Sequence, residues 1–320
     1  MNLEHLQYLK CPRCSEEKGK LKLTSTGPVD EFQRVKEGML ECGGGHRYYI
    51  HDFIADFVSE EDQTVRNSHI YDTLWDLHDC QSYQGRTDEY ISKFQKSARM
   101  PGDLKNYFEN KVVLDAGCGE GRFTYLSSSL GAKAVISVDY SATALRRALK
   151  QTGHPQNVTF VRGNLEFPPV QSMIEYAFSM GVLHHTPSTK RSFDQVVATV
   201  VSGGYFSLYV YKKWSLPWIY WAVRPITLQL PKDFVNRVCE FFGWGYNPKK
   251  VPIIPLGKWF KKLGKLDILG FARITYEGLT TPFLWEHQKS EVEKWIKNAG
   301  FELISSTNEV AASGRKKEVK

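Results

Sequence analysis

Two groups of residues have the types and spacing to do chemistry. The first is Cys11-Pro-Arg-Cys14 with Cys42-Gly-Gly-Gly-His46. Two short knuckles that supply three sulfurs and one nitrogen suit a tetrahedral divalent metal, zinc above all. Gly43, Gly44 and Gly45 let the second knuckle curl tightly, and His51 is an alternative fourth ligand. Four protein ligands leave no open position, so such a site is structural. The second group is Leu114-Asp-Ala-Gly-Cys-Gly-Glu-Gly-Arg-Phe123. Glycines 117, 119 and 121, between an apolar strand and a helix, permit a tight turn and close approach of a ligand to the backbone. The first N–H groups of the helix then face that ligand. Asp115, at the strand end, would repel a pyrophosphate and attract a cationic amino group. That charge, and a G-x-G-x-G spacing where dinucleotide sites have G-x-G-x-x-G, weigh against a dinucleotide. Further on, His184 and His185 follow another apolar run. Imidazoles titrate near neutral pH and are candidate general bases, His185 ahead of His184.

The elements that must position these residues follow from periodicity. Val112–Leu114, Ala134–Val138, Val158–Val161, Ile174–Met180 and Tyr205–Tyr211 read as short apolar strands. Helices are expected from Phe123 to Leu130, Ala142 to Lys150 (stopped by Gly153 and Pro155) and Phe193 to Val200. Alternating strand and helix implies an α/β fold, a mainly parallel sheet with helices on both faces. The alternation breaks after Tyr211 and resumes with a helix over 290–298 and a strand over 301–305. The break is too long for an ordinary loop and reads as an inserted helical cap. The expected organisation is a zinc-ribbon-like unit at 1–58, a helical connector at 59–110, a core at 111–211, a basic aromatic cap at 212–284, and the last helix and strands at 285–320. The helical connector rests on Tyr71–Trp75 and Tyr90–Phe94, where apolar residues recur three and four apart.

With these motifs in order, the chain resembles the class I S-adenosylmethionine-dependent methyltransferases, in their small-molecule branch. That resemblance implies a Rossmann-like, doubly wound sheet of seven strands. Asp115-Ala-Gly-Cys-Gly-Glu-Gly looks like the family's first motif, whose acid and glycines hold the methionine part of the cofactor. This assigns Asp115, Gly117, Cys118, Gly119 and Gly121 to the cofactor, although Cys118 also reads as inert filler and Glu120 as a helix cap. Asp139 matches the acid that bonds the ribose hydroxyls, and Tyr140 a residue that flanks the adenine. Asn164, with Leu165, sits where the family contacts the adenine amine; Asp is commoner there, but an Asn carbonyl can accept the same bond. Phe178-Ser-Met-Gly-Val-Leu-His-His-Thr-Pro187 resembles the fourth-strand motif and adds Met180 to the cofactor set. Tyr211, Trp285 and His287 are the candidates for the acceptor pocket. The N-terminal segment is similar to zinc ribbons fused to bacterial methyltransferases and to the zinc finger of certain ribosomal-RNA guanine methyltransferases.

Composition narrows the partners. Six scattered cysteines in 320 residues are not a secreted disulfide scaffold. The N-terminus has no apolar leader and no stretch approaches a membrane span, so a cytoplasmic protein is expected. The formal charge is +7, yet Tyr211–Thr275 alone carries 12 Lys or Arg against three acids. Trp214, Trp218, Tyr220, Trp221, Trp244 and Trp259 lie among Lys249, Lys250, Lys261 and Lys262 in or beside that segment. Basic residues among aromatics suit RNA, an anionic membrane surface or a phosphate-bearing substrate, and equally a lid with solvated lysines. Exocyclic-amine and cytosine-C5 methylation motifs are absent. The expectation is O-methylation of a small molecule, sugar or lipid-linked intermediate. RNA methylation through the zinc unit and cap is the alternative, and a non-catalytic binding protein the third.

Overall fold

The computed structural model describes residues 1–27, 29–58, 82–213, 218–231, 234, 235, 237 and 279–318. The chain divides into two compact units, Met1–Lys213 with Trp285–Lys320, and Trp214–Leu284.

The first unit is built on one sheet. Its strands are β1 (Leu21–Thr26), β2 (Gly38–Cys42), β3 (Arg47–His51), β4 (Ile54–Asp56), β5 (Val112–Ala116), β6 (Ala134–Asp139), β7 (Val158–Arg162), β8 (Ile174–Met180), β9 (Val200–Tyr209), β10 (Phe301–Ser306) and β11 (Ala311–Lys316). They lie in the order β1-β2-β3-β4-β7-β6-β5-β8-β9-β11-β10. The five strands β7-β6-β5-β8-β9 are parallel, and β11 and β10 close that end antiparallel. These seven are the sheet expected from the sequence. The observed sheet has eleven strands, because β4 pairs parallel with β7 and carries the antiparallel meander β1-β2-β3 into the same sheet. The N-terminal segment thus shares a unit and a sheet with the core.

The central strands are buried on both sides, which is why they read as apolar runs without alternation. Their side chains still alternate between two cores. Val113, Val135, Tyr176 and Phe178 join Phe94, Phe108, Leu126, Leu145 and Ala148 on one face. Leu114, Ile136 and Ala177 join Phe193, Val196, Trp295 and Ile296 on the other. Helices α1 (Thr87–Ala98), α2 (Arg122–Ser129) and α3 (Ala142–Thr152) pack through the first set, and α4 (Thr189–Ala198) and α6 (Lys289–Asn298) through the second. The second core runs on into Tyr8, Leu9, Leu40 and Ile50 of the N-terminal segment. Gly153 stops α3 in the left-handed conformation, at φ 74°.

The second unit is described in part. Helix α5 (Trp218–Thr227) runs through Pro225 in its last turn. The buried Arg224 donates to the carbonyls of Thr281 and Pro282, and the Thr227 hydroxyl donates to Leu279 at 2.8 Å. Trp214, Trp244, Trp259 and lysines 249, 250, 261 and 262 lie outside the described residues, as does Tyr71–Trp75. Among the described residues no helix is long and apolar enough to cross a membrane.

Candidate active site and metal centre

Strand order reverses beside β5, with β6 on one side and β8 on the other. In open α/β sheets this switch point, beyond the C-terminal strand ends, is where ligands bind. The glycine turn leaves β5 at that point. Gly117 and Cys118 donate their N–H groups to the Val138 carbonyl at 2.8 and 3.0 Å. Gly117 stands at φ 91°, and a Cβ there would lie 2.3 Å from Cγ1 of Val182. The loops after β5 and β8 therefore meet closely enough that only glycine fits.

Asp115 is buried at the end of β5. Its Oδ2 accepts from the Thr124 hydroxyl at 2.8 Å, and Thr124 also meets the Ser137 hydroxyl at 2.9 Å. Burial pushes its carboxyl up to about 7, against the Thr124 bond, which lowers it; the nearby Asp139 charge pushes the same way as burial. A buried acid of this kind favours a cationic partner, which stabilises its charged form. Asp139 ends β6. Its Oδ2 accepts from Gly119 N–H at 2.8 Å and its Oδ1 from Ser141 N–H at 2.9 Å, so two backbone donors fix the carboxylate plane. Cys118 is buried, and burial raises its thiol well above the usual range, which makes it a poor nucleophile. Glu120, read from the sequence as a cap, instead pairs with Arg147 of α3 at 2.6 Å. Asn164 uses its side-chain carbonyl to accept from Glu166 N–H at 2.9 Å, shaping the loop after β7. Leu165 is buried beneath that loop, and Met180 is half-buried at the end of β8.

On the other side of the turn lies an aromatic cluster. A single 3-10 turn, Leu183–His185, carries both histidines. The His184 ring sits 4.1 Å from that of His185 and 3.9 Å from that of Tyr211. His184 is fully buried and neither ring nitrogen has a hydrogen-bond partner among the described residues. Burial holds it well below the usual histidine range, so it stays neutral. His185 is half-buried. Trp285 donates its backbone N–H to the His184 carbonyl at 3.0 Å and its indole N–H to the Thr186 carbonyl at 3.0 Å. His287 does not face this cluster as a free ligand group. Its Nδ1 meets Glu291 at 3.2 Å and its Nε2 meets Thr189 at 3.1 Å, while its N–H donates to the Tyr211 carbonyl at 2.8 Å. It is a pin behind the pocket. The sequence offered no sign of Thr124, Val182 or Glu291; a hydroxyl or a valine at such positions has no signature of its own.

Residues 113–204 match the family described as a methyltransferase domain. The core of this chain is a methyltransferase domain. The chain is 28% identical over 194 residues to the tRNA U34 carboxymethyltransferase of Tolumonas auensis, over 59% of this chain and 52% of that protein. It is 36% identical over 77 residues to protein arginine N-methyltransferase 1 of Saccharomyces cerevisiae, over 22% of each chain. The chain spans about half the length, or less, of the curated relatives it matches. A solved S-adenosylmethionine-dependent methyltransferase from Methanosarcina mazei overlaps 68% of this chain and 97% of that chain, at TM-score 0.42 and 16% identity.

The sulfur-rich group lies elsewhere in the same unit. Ligand atoms of Cys11, Cys14, Cys42 and His46 all fall within 4.8 Å of one another. The sulfurs stand 3.6, 3.3 and 3.5 Å from Nδ1 of His46, and Cys14 stands 3.7 Å from Cys42. Bonds of about 2.3 Å to sulfur and about 2.0 Å to nitrogen, at tetrahedral angles, space such atoms about 3.8 Å (S to S) and about 3.5 Å (S to N) apart. The cluster therefore has the dimensions of a zinc shell, and Nδ1 is the ring atom turned toward it. The Tyr48 hydroxyl lies 3.0 Å from the Cys11 sulfur as an outer partner. A Cβ on Gly44 would fall 2.5 Å from the Cys14 sulfur. His51 is not in the cluster; it is exposed and pairs with Glu37 at 3.0 Å.

Proposed function

We propose that this methyltransferase alkylates a hydroxyl of a small acceptor seated against the His184–His185–Tyr211 cluster, with His185 taking the proton. The observation that carries this reading is the close meeting of Val182, which precedes the Leu183–His185 turn, with the glycine turn at Gly117; a cofactor held by that turn would lie beside the aromatic cluster. Asp115 would hold the cofactor's amino group, and the turn from Gly117 through Cys118 and Gly119 to Gly121 the rest of its methionine part. Asp139 would hold the ribose; Tyr140, Asn164, Leu165 and Met180 would line the remainder. Bound there, S-adenosylmethionine supplies an electrophilic methyl carbon. His185, half-buried beside a neutral, fully buried His184, is the less enclosed of the two imidazoles and would take the acceptor proton. Tyr211 and Trp285 would flank the acceptor, and His287 would fix Tyr211 through its backbone. Cys11, Cys14, Cys42 and His46 would hold one structural zinc ion.

RNA is the second reading. The name of the Tolumonas relative favours it, as does the basic run over 211–275. Against it, residues 1–58 hold eight Lys or Arg and nine Asp or Glu, which is no electrostatic footprint for phosphate. The test is release of S-adenosylhomocysteine with hydroxylated small molecules and with tRNA. The expected result is turnover with a small acceptor that falls 100-fold or more, the order general-base loss costs, in His185→Gln at unchanged cofactor affinity. Methylation of tRNA alone, weakening steeply with salt, would overturn it.

A further inference from the structure

The cofactor reading leaves one charged side chain unused, and it lies between the N-terminal strands and the ribose acid. Arg162 ends β7. In the sheet register it stands abreast of Asp56 of β4 on one side and Asp139 of β6 on the other. Its NH1 donates to Oδ2 of Asp56 at 3.0 Å, and its Nε donates to the backbone carbonyl of Tyr140 at 3.2 Å. Both partners of the ion pair are mostly shielded, at 19% and 26% side-chain exposure, so the pair is screened less than a surface one. Backbone bonds brace the same place: Phe57 N–H donates to the Arg162 carbonyl at 2.8 Å, and Gly163 N–H to the Asp139 carbonyl at 3.0 Å.

We propose that Arg162 is a positioning residue for the cofactor, holding the Asp139–Ser141 turn from behind, and that Asp56 of the N-terminal strands holds Arg162. The turn is gripped from two sides. Gly119 N–H fixes the Asp139 carboxylate from the glycine turn, and the guanidinium fixes the Tyr140 carbonyl from β7. Without Arg162 that carbonyl loses a charge-assisted donor and the turn gains freedom that ligand binding must then remove. The guanidinium is itself held by Asp56, which lies outside residues 113–204, the stretch that matches the methyltransferase family. The N-terminal strands thereby contribute to the cofactor site without touching the cofactor. This inference rests on the cofactor reading above.

The test compares two ligands on full-length, zinc-loaded protein by calorimetry. S-adenosylhomocysteine carries both halves of the cofactor, and 5′-methylthioadenosine carries the adenosine half without the amino acid. Arg162→Met should weaken both about tenfold, the factor commonly carried by one hydrogen bond. Equal loss on the two ligands at an unchanged melting temperature marks the ribose side; general destabilisation would also weaken both ligands equally, but with a lowered melting temperature. Asp56→Ala, which keeps Arg162, should weaken both in the same direction and add little on top of Arg162→Met, since the two act in one relay. It also serves as the reporter should Arg162→Met fail to fold. Unchanged affinity in both variants, or a loss confined to S-adenosylhomocysteine, would overturn the proposal. A silent Asp56→Ala beside a weakened Arg162→Met would overturn the role of the N-terminal strands. Wild type that binds neither ligand would overturn the cofactor reading itself, and the proposal with it.

Discussion

Replacing Asp115 by Asn should stabilise the ligand-free protein in alkaline solution and at the same time cost it the cofactor. The carboxyl is fully enclosed, and burial lifts it from 3.8 to about 7. A folded-state value above the unfolded one means that the native state holds the proton more tightly. Stability from this group is therefore complete below about pH 4, declines as pH rises toward 7, and is level above that. At about 1.4 kcal/mol per pH decade, the ionised carboxylate costs the native state about 4 kcal/mol at pH 8 and about 2 kcal/mol at pH 5. The advantage of Asp115→Asn over wild type should then grow by about 2–3 kcal/mol between those pH values, whatever the amide itself costs. Urea titrations of both proteins at pH 5, 6, 7 and 8 read this directly. In the wild type, cofactor binding near pH 6 should release close to one proton, because the ligand's ammonium calls for the carboxylate; calorimetry in buffers of different ionisation enthalpy measures it. The Asn variant should release none and bind weakly. A stability gap that does not change with pH would show that Asp115 titrates normally, and the account of a buried acid awaiting a cation would fail.

Two further outcomes follow from named contacts. Gly117→Ala places a methyl 2.3 Å from Val182 and leaves an L-residue at φ 91°, so S-adenosylhomocysteine affinity should fall at least 100-fold, by calorimetry; retained micromolar binding would mean the two loops part easily. Cys14→Ser should lower bound zinc from one equivalent to well below one by elemental analysis and reduce the melting temperature, because structural zinc contributes directly to folding; an unchanged melting temperature would assign the cluster no structural role.

Legibility in the sequence tracked how local each feature is. β8 has the same ends, Ile174 and Met180, in the sequence reading and in the structure, because its apolar run is bounded by a polar stretch and a glycine. The glycine turn was legible for the same reason: positive φ and close approach restrict residue type. The four added strands were not. Pairing of β4 with β7 joins residues more than a hundred apart through a strand only three residues long, and nothing in Ile54–Asp56 names its partner. His287 carried the right residue type for a pocket, but its two nitrogens are already committed to Thr189 and Glu291. Glu120 shows the same limit, since Arg147 lies on the next helix. Arg162 was silent, because one arginine at a strand end has no pattern.

The extra strands also change which hydrogen-bonding groups the sheet leaves open. A seven-stranded core would end on β7, a run of Val158-Thr-Phe-Val161 whose free edge invites another chain to add itself. Here β4 pairs with the Val161–Arg162 end of that edge, and the meander moves the border out to β1, Leu21-Lys-Leu-Thr-Ser-Thr26. That strand carries a lysine, ends in exposed hydroxyl side chains, and breaks register between Leu23 and Ser25. Each trait discourages intermolecular pairing. The N-terminal segment thus shields part of the β7 edge, and a chain trimmed to begin at the methyltransferase core would leave that apolar strand at the border.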